Sequence, residues 1–210
     1  MRRILCIASW FVATPPRGRL SHRASALLLV PLAGLMALLA GPAQAAPAPA
    51  APSAAWQAVA TPDVTTGSVS AMRFIANGRY VSTEIAWTGG AYARLRARAT
   101  TVGPWEKYTL YASGSAWAIR SKANGRFVSA ELGWTGNNYG LLRARATSIG
   151  PWERYSLLYN STSRRYALRS MANGRYVAAE LGFPQPFTGE LRARSTAIGS
   201  WEQFTLHVVG

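Results

Sequence analysis

The chain has 210 residues, 49% hydrophobic and 11% aromatic, enough to bury one substantial core and too apolar for an intrinsically disordered protein. Its 23 Lys and Arg outweigh 8 Asp and Glu, and the net charge of +15 favours acidic partners or surfaces. One Cys and two His exclude a Cys/His zinc site and a disulfide framework, and no cofactor is expected.

Residues 24–40 are almost wholly apolar, and Arg2, Arg3, Arg17, Arg19 and Arg23 all precede them. With the small residues Ala43-Gln44-Ala45 as a cleavage site, residues 1–45 read as a secretory signal peptide and the protein as secreted. About 17 apolar residues broken by Pro31 are short for a span, and no basic stop-transfer cluster follows, so no integral membrane span is expected after cleavage. Cleavage removes five Arg and the only Cys, leaving 18 basic and 8 acidic residues. The core must then hold the protein together outside the cell without a disulfide. Residues 46–64 open with an Ala/Pro run and read as a spacer, with Trp56 docking under the domain that follows.

Residues 65–210 hold three copies of one unit, at about 65–112, 113–160 and 161–210. Asn77, Asn124 and Asn173 lie 47 and 49 residues apart, and Trp105, Trp152 and Trp201 each follow their Asn by 28. Residues 72–110 match 119–157 at 24 of 39 positions without a gap, and the third copy keeps Ala-Asn-Gly-Arg, Leu-Arg-Ala-Arg and Trp-Glu.

Each copy reads as four short strands. The first ends near Arg73, Arg120 or Arg169, and Asn-Gly then predicts a type I′ hairpin turn. The second alternates Val81, Thr83 and Ile85 with Tyr80, Ser82 and Glu84, which predicts one buried face. In the third, Leu95, Ala97 and Ala99 alternate with Arg96 and Arg98, so both guanidinium groups share a side. The fourth pairs Tyr108 with Leu110, Tyr155 with Leu157 and Phe204 with Leu206 on one face, and Trp105, Trp152 and Trp201 just before it are expected in the core. Trp117, aligned with Ser70 and Tyr166, is expected to pack there too.

Three units are too few to close a propeller, but twelve strands can form a six-stranded barrel capped by three hairpins, with no open edge. The predicted fold is all-β, a pseudo-threefold β-trefoil. The strings beginning at Ala76 (Ala-Asn-Gly-Arg-Tyr-Val-Ser-Thr-Glu), Leu95 (Leu-Arg-Ala-Arg-Ala) and Gly103 (Gly-Pro-Trp-Glu-Lys-Tyr-Thr-Leu) resemble the fascin-like β-trefoil repeat over about residues 65–209. That resemblance implies one of two roles. The eukaryotic family bundles actin filaments with four tandem trefoils, which points to a protein filament as partner. Similar single domains resemble accessory modules of secreted bacterial polysaccharide-degrading enzymes, which points to a polysaccharide.

Catalytic chemistry finds little support. After the leader, His207 and Asp63 are the only residues of their type, and nothing near them resembles a nucleophile elbow. Glu84, Glu131 and Glu180 are equivalent, as are Glu106, Glu153 and Glu202, so symmetry denies them the contrasting surroundings that glycoside hydrolysis needs. Together with twelve Arg at threefold positions, namely Arg73, Arg79, Arg96, Arg98 and their counterparts, they read as Arg–carboxylate pairs tying strands together. Charge spread about a threefold axis also argues against nucleic acid, which selects a one-sided basic stripe. The chain is expected to be a monomer and not an enzyme.

The copies differ most between their second and third strands. Copies one and two read Ala86-Trp87-Thr88-Gly89-Gly90-Ala91-Tyr92 and Gly133-Trp134-Thr135-Gly136-Asn137-Asn138-Tyr139, whereas copy three reads Gly182-Phe183-Pro184-Gln185-Pro186-Phe187-Thr188. Gly-rich loops with aromatic rings and amides suit sugars, whose C–H faces stack on rings while hydroxyls take polar partners. Trp134, Tyr139, Asn137 and Asn138 form the first candidate site, Trp87 and Tyr92 the second, and Phe183 with Phe187 a degenerate third. The alternative is that Trp87 and Trp134 fold back as plugs over the barrel. The favoured ligand is a polysaccharide or acidic glycan.

Overall fold

The computed structural model describes residues 56–59 and 67–209. The expected signal peptide, residues 46–55 of the expected spacer and Asp63 lie outside the described residues. Thirteen strands occur among those described: β1 Gln57–Ala58, β2 Val69–Phe74, β3 Tyr80–Thr83, β4 Leu95–Ala99, β5 Tyr108–Ser113, β6 Ala116–Ser121, β7 Phe127–Glu131, β8 Leu141–Ala146, β9 Tyr155–Asn160, β10 Arg165–Ser170, β11 Tyr176–Glu180, β12 Glu190–Ser195 and β13 Phe204–Val208.

The first and fourth strands of each copy form the barrel. Antiparallel pairing runs β2–β5–β6–β9–β10–β13 and returns to β2, so this ring has no edge. The remaining strands form the hairpins β3–β4, β7–β8 and β11–β12, which meet through β4–β12, β12–β8 and an Arg94–Arg143 bridge. The molecule is a β-trefoil. Within the stretch expected as spacer, β1 pairs with β9, Trp56 is half-buried, and the Val59 carbonyl accepts from the Trp117 indole at 3.2 Å.

Apolar residues stack in threes about the axis. Val81, Val128 and Val177 form one set and Leu95, Leu142 and Leu191 another, all no more than 1% exposed. Met72, Ile119 and Leu168 form a third set, and Tyr108, Tyr155 and Phe204 a fourth. Trp117 is buried as expected. On β3 both faces are buried rather than one, because the connection before the fourth strand folds over the outer face. In the second copy the Ser129 hydroxyl donates to Glu153 on that connection.

Two local expectations fail for backbone reasons. The Asn-Gly turn is not type I′: in residues 75–78 only Gly78 takes a positive φ (+63°), and its N–H donates to the Phe74 carbonyl at 3.0 Å. Asn77 instead works through its side chain, donating to the Ala97 carbonyl at 2.8 Å and accepting the Arg79 N–H at 3.1 Å. Asn124 and Asn173 repeat both bonds. Nor are Trp105, Trp152 and Trp201 core residues, being 37, 38 and 41% exposed. They sit in the 3-10 turns Pro104–Glu106 and Pro151–Glu153 and the matching turn at 200–202, where the following Glu points inward instead. Its carboxylate accepts the N–H of Gly103, Gly150 or Gly199 at 2.8, 2.8 and 2.7 Å.

A buried polar network also distinguishes the copies. The Tyr108 hydroxyl bonds Thr83 at 2.9 Å, and Thr83 bonds Ser121 at 2.9 Å. In the second copy Ala130 replaces Thr83, leaving the Ser170 hydroxyl without a partner, and in the third Phe204 faces Phe74 with no hydroxyl at all.

Burial raises the phenol pKa of Tyr108 and Tyr155, chiefly by desolvation. Both remain protonated in the folded state well above the pH at which an unfolded tyrosine ionises, so the stability they confer is complete below about pH 10 and lost as pH rises through the folded-state pKa. Thermal melts from pH 8 to 11.5 should therefore fall above pH 10, and the double variant Tyr108→Phe, Tyr155→Phe should flatten that fall. A second prediction concerns the axis: a Cβ on Gly140 or Gly189 would lie 2.6 Å from the Ala193 or Ala97 carbonyl oxygen, at φ of +71° and +83°. Gly140→Ala and Gly189→Ala should each cost about 2–4 kcal/mol in denaturant unfolding.

Candidate functional site

The variable loops are placed by the third strands. Arg96, Arg143 and Arg192 begin the inner part of β4, β8 and β12, and burial lowers the pKa of each guanidinium, with Glu84, Glu131 and Glu190 opposing the shift. Each guanidinium lies against the aromatic ring that opens its own loop: Arg96 on Trp87 at 5.2 Å, Arg143 on Trp134 at 5.1 Å and Arg192 on Phe183 at 4.3 Å. Trp87, Trp134 and Phe183 are accordingly half-buried. They are neither barrel plugs nor free platforms, because a guanidinium lies over each ring, and Phe183 carries a second, Arg194 at 5.5 Å.

Two of these arginines also clasp the preceding copy's loop. Arg143 donates to the Tyr92 carbonyl at 2.9 Å, and Arg96 to the Thr188 carbonyl at 2.9 Å. The third does not. Arg192 turns to Glu190 at 2.5 Å, and its Nε and Nη1 have no hydrogen-bond acceptor. The cause is the residue at the head of each third strand, which is Arg94, Leu141 or Glu190. Glu190 is fully buried and lies 2.7 Å from Arg94, so one carboxylate gathers two guanidinium groups on the axis.

Beside this charge cluster lie two adjoining clefts, of about 460 and 280 Å³, that share Arg94 and Asn138. Trp134 and Thr135 wall the larger one, Asn137, Phe183 and Phe187 the smaller. The candidate residues thus regroup across copies: Asn137 and Asn138 of the second copy face Phe183 and Phe187 of the third. Trp87 meets Phe187 edge-on at 6.2 Å and lines neither cleft. Tyr92 and Tyr139 are exposed and line neither cleft, and the Tyr139 hydroxyl accepts from Asn173 at 3.5 Å. Arg94, the residue that joins the clefts, was missed from sequence. Its signal was a charge where the next copy has Leu.

The repeated charges divide their labour. Glu84, Glu131 and Glu180 make two-bond pairs with Arg98, Arg145 and Arg194, as expected, with the Arg194 bonds at 2.5 and 2.6 Å. The Glu131 hydrogen bond raises the pKa of Arg145. Arg73, Arg120 and Arg169, expected to pair with carboxylates, instead donate to the Gly78, Gly125 and Gly174 carbonyls and cover the rings of Tyr80, Phe127 and Tyr176. The glycine carbonyl five residues on takes the Nε–H of each, so these guanidinium groups close their own hairpin turns instead of tying strands together. Arg79, Arg126 and Arg175 are exposed and form no ion pair among the described residues. His207 bonds Thr205 at 2.8 Å and packs edge-on against Tyr80, as a strand-face residue.

The fold is shared with solved structures. The designed threefold-symmetric protein ThreeFoil aligns with 67% of this chain over 99% of its own, at 15% identity and a TM-score of 0.56. A ricin B-like lectin of Macrolepiota procera, solved with lactose, aligns with 70% of this chain over 99% of its own, at 13% identity and 0.54. An exo-β-1,3-galactanase of Clostridium thermocellum aligns with 70% of this chain at 14% identity and 0.55, and there the match spans only 31% of the other chain. These likenesses show the β-trefoil fold. No family model matches the chain, and no curated protein matches it significantly.

Arg94→Leu should cost about 3 kcal/mol in urea unfolding, since it removes one of two cations from a fully buried carboxylate. Adding Glu190→Leu should recover at least half of that loss, because Leu141 already fills the equivalent place and Arg192 becomes free to clasp the second copy's loop. Additive losses would show that the axial charges do not act as a pair.

Proposed function

We propose that this protein is a secreted, non-enzymatic carbohydrate-binding module whose main site is the pair of axial clefts. The observation that carries the reading is the meeting, at Arg94 and Asn138, of two clefts that combine aromatic rings with side-chain amides. Trp134, Phe183 and Phe187 offer apolar surface to the C–H face of a sugar ring, while Asn137, Asn138 and Arg94 supply hydrogen bonds to its hydroxyls. The positive charge balance favours acidic glycans among the possible ligands. A lectin solved with lactose and a galactanase among the proteins that share the fold support the ligand class.

The absence of an enzymatic role rests on the glutamates. Three pair with arginines, three accept a glycine N–H, and Glu190 lies between Arg94 and Arg192. Each of these glutamates is already engaged, which suits binding better than hydrolysis. The fascin-like repeat strings belong to this proposal as a sign of the architecture, and the leader-like residues 1–45 are what supports secretion.

The test is a pull-down on insoluble polysaccharides followed by titration with the soluble forms. Trp134→Ala and Asn138→Ala should each weaken binding about tenfold or more. Binding unchanged in both variants would rule out the axial site.

A further inference from the structure

Trp105, Trp152 and Trp201 present large apolar rings to solvent at the same place in all three copies. Their exposure is built in. Each occupies the middle of a turn whose next residue, Glu106, Glu153 or Glu202, takes the inward direction and binds the glycine N–H at the turn's start. In two copies the far edge of the ring reaches over a glycine: Cη2 of Trp152 and of Trp201 lies 3.7 and 3.9 Å from where a Cβ added at Gly133 or Gly182 would sit. An indole about two-fifths exposed adds less to the core than a fully buried one.

Polar groups stand beside these rings. In the third copy, Trp201, Phe183 and Gly182 share a cleft of about 300 Å³ with Glu180 and Arg194. Arg194 is 41% exposed in its side chain, while its partner Glu180 is only 5% exposed. The pair uses Nε and Nη2, so Nη1 of Arg194 donates to nothing among the described residues. Arg98 with Glu84 and Arg145 with Glu131 repeat the arrangement, at 37 and 38% exposure of the arginine.

We propose that Trp105, Trp152 and Trp201, each with its neighbouring Arg–Glu pair, are three equivalent lateral subsites that stack a saccharide ring, additional to the axial clefts. The indole takes the C–H face, and the outward guanidinium nitrogen donates to a ring hydroxyl. This inference takes its ligand class from the axial reading and shares with that site Phe183 and, at the equivalent place in the second copy, Trp134, so the first copy's subsite is the independent one. Three weak subsites on one rigid body give avidity on a polymer that no single site supplies.

The experiment is affinity electrophoresis of the full chain in gels containing galactan or polygalacturonate, with melting temperature and tryptophan fluorescence as fold controls. The variants are Trp105→Ala/Trp152→Ala/Trp201→Ala, the same triple to Phe, the three single Ala changes, and Trp134→Ala. The triple Ala variant should lose tenfold or more in affinity, the triple Phe variant should keep part of it, and each single change should give an equal, smaller loss. Trp134→Ala should leave the lateral contribution measurable. If the triple Ala variant does not fold, the three singles carry the test. Wild-type affinity in the lateral variants would overturn the lateral subsites and leave the axial site standing, and complete loss in Trp134→Ala alone would overturn them too. Failure of the wild type to bind either polymer would overturn both readings. Self-association of the wild type that the triple variant abolishes would assign the rings to contact between copies and overturn the lateral subsites.

Discussion

Three backbone hydrogen bonds around the pseudo-threefold axis hold the cap together: Ala97 N–H to Gly189 O at 2.8 Å, Ala144 to Ala93 O at 2.9 Å and Ala193 to Gly140 O at 2.7 Å. Each joins one copy's third strand to the residue just before another's. The acceptors Gly189, Ala93 and Gly140 take left-handed φ angles of +83°, +59° and +71°, and two of them are Gly, as that conformation favours. Ala93 is the exception, and its methyl group is buried within the core. Because the chain turns there, the loop ahead of each acceptor is thrown to the rim of the axis. The position of the variable loops is thus a consequence of how the cap closes, not of what the loops contain.

Symmetry and its breaking then serve different ends. Positions that carry the layers, the Asn side-chain bonds and the Glu–Arg pairs are alike in every copy, since each copy meets the same neighbours. Positions on the axis meet one another and need not be alike. Arg94, Leu141 and Glu190 show the effect: a cation, an alkyl group and an anion occupy one layer, and the ion pair draws Arg192 away from the contact its counterparts make. A desolvated ion pair of this kind contributes little net stability over apolar packing, so its consequence lies in the shape and charge of the clefts beside it.

Much of this was legible in the sequence. The fixed spacing of Asn77, Asn124 and Asn173 from their tryptophans required equal units, and equal units required a closed barrel with a three-hairpin cap. The burial of Tyr108, Tyr155 and Phe204 followed from period-two patterning alone. What patterning could not convey was direction within turns. Hydropathy ranks Trp105 above Glu106 for burial, yet a 3-10 turn spreads successive side chains around its axis, and the N–H of Gly103 can reach only the Glu. The spacing of Gly and Glu three residues apart, which lets a side chain close its own turn, was the available signal. The grouping of Asn138 with Phe187 was not legible, because it depends on which loops the hairpins bring together across copies.

The two kinds of surface aromatic also follow from the same division. Trp87, Trp134 and Phe183 stand on loops whose other residues vary freely, each with a guanidinium over its ring, so what they contribute depends on the loop opposite. Trp105, Trp152 and Trp201 stand on turns fixed by a carboxylate–backbone bond, so all three copies offer the same ring in the same setting. A surface that is identical three times suits repeated, individually weak contact along a polymer, whereas a surface that differs among copies suits one more selective contact. A rigid barrel carrying both keeps the distances between them constant, and on a repeating ligand constant spacing is what turns several weak contacts into a strong one.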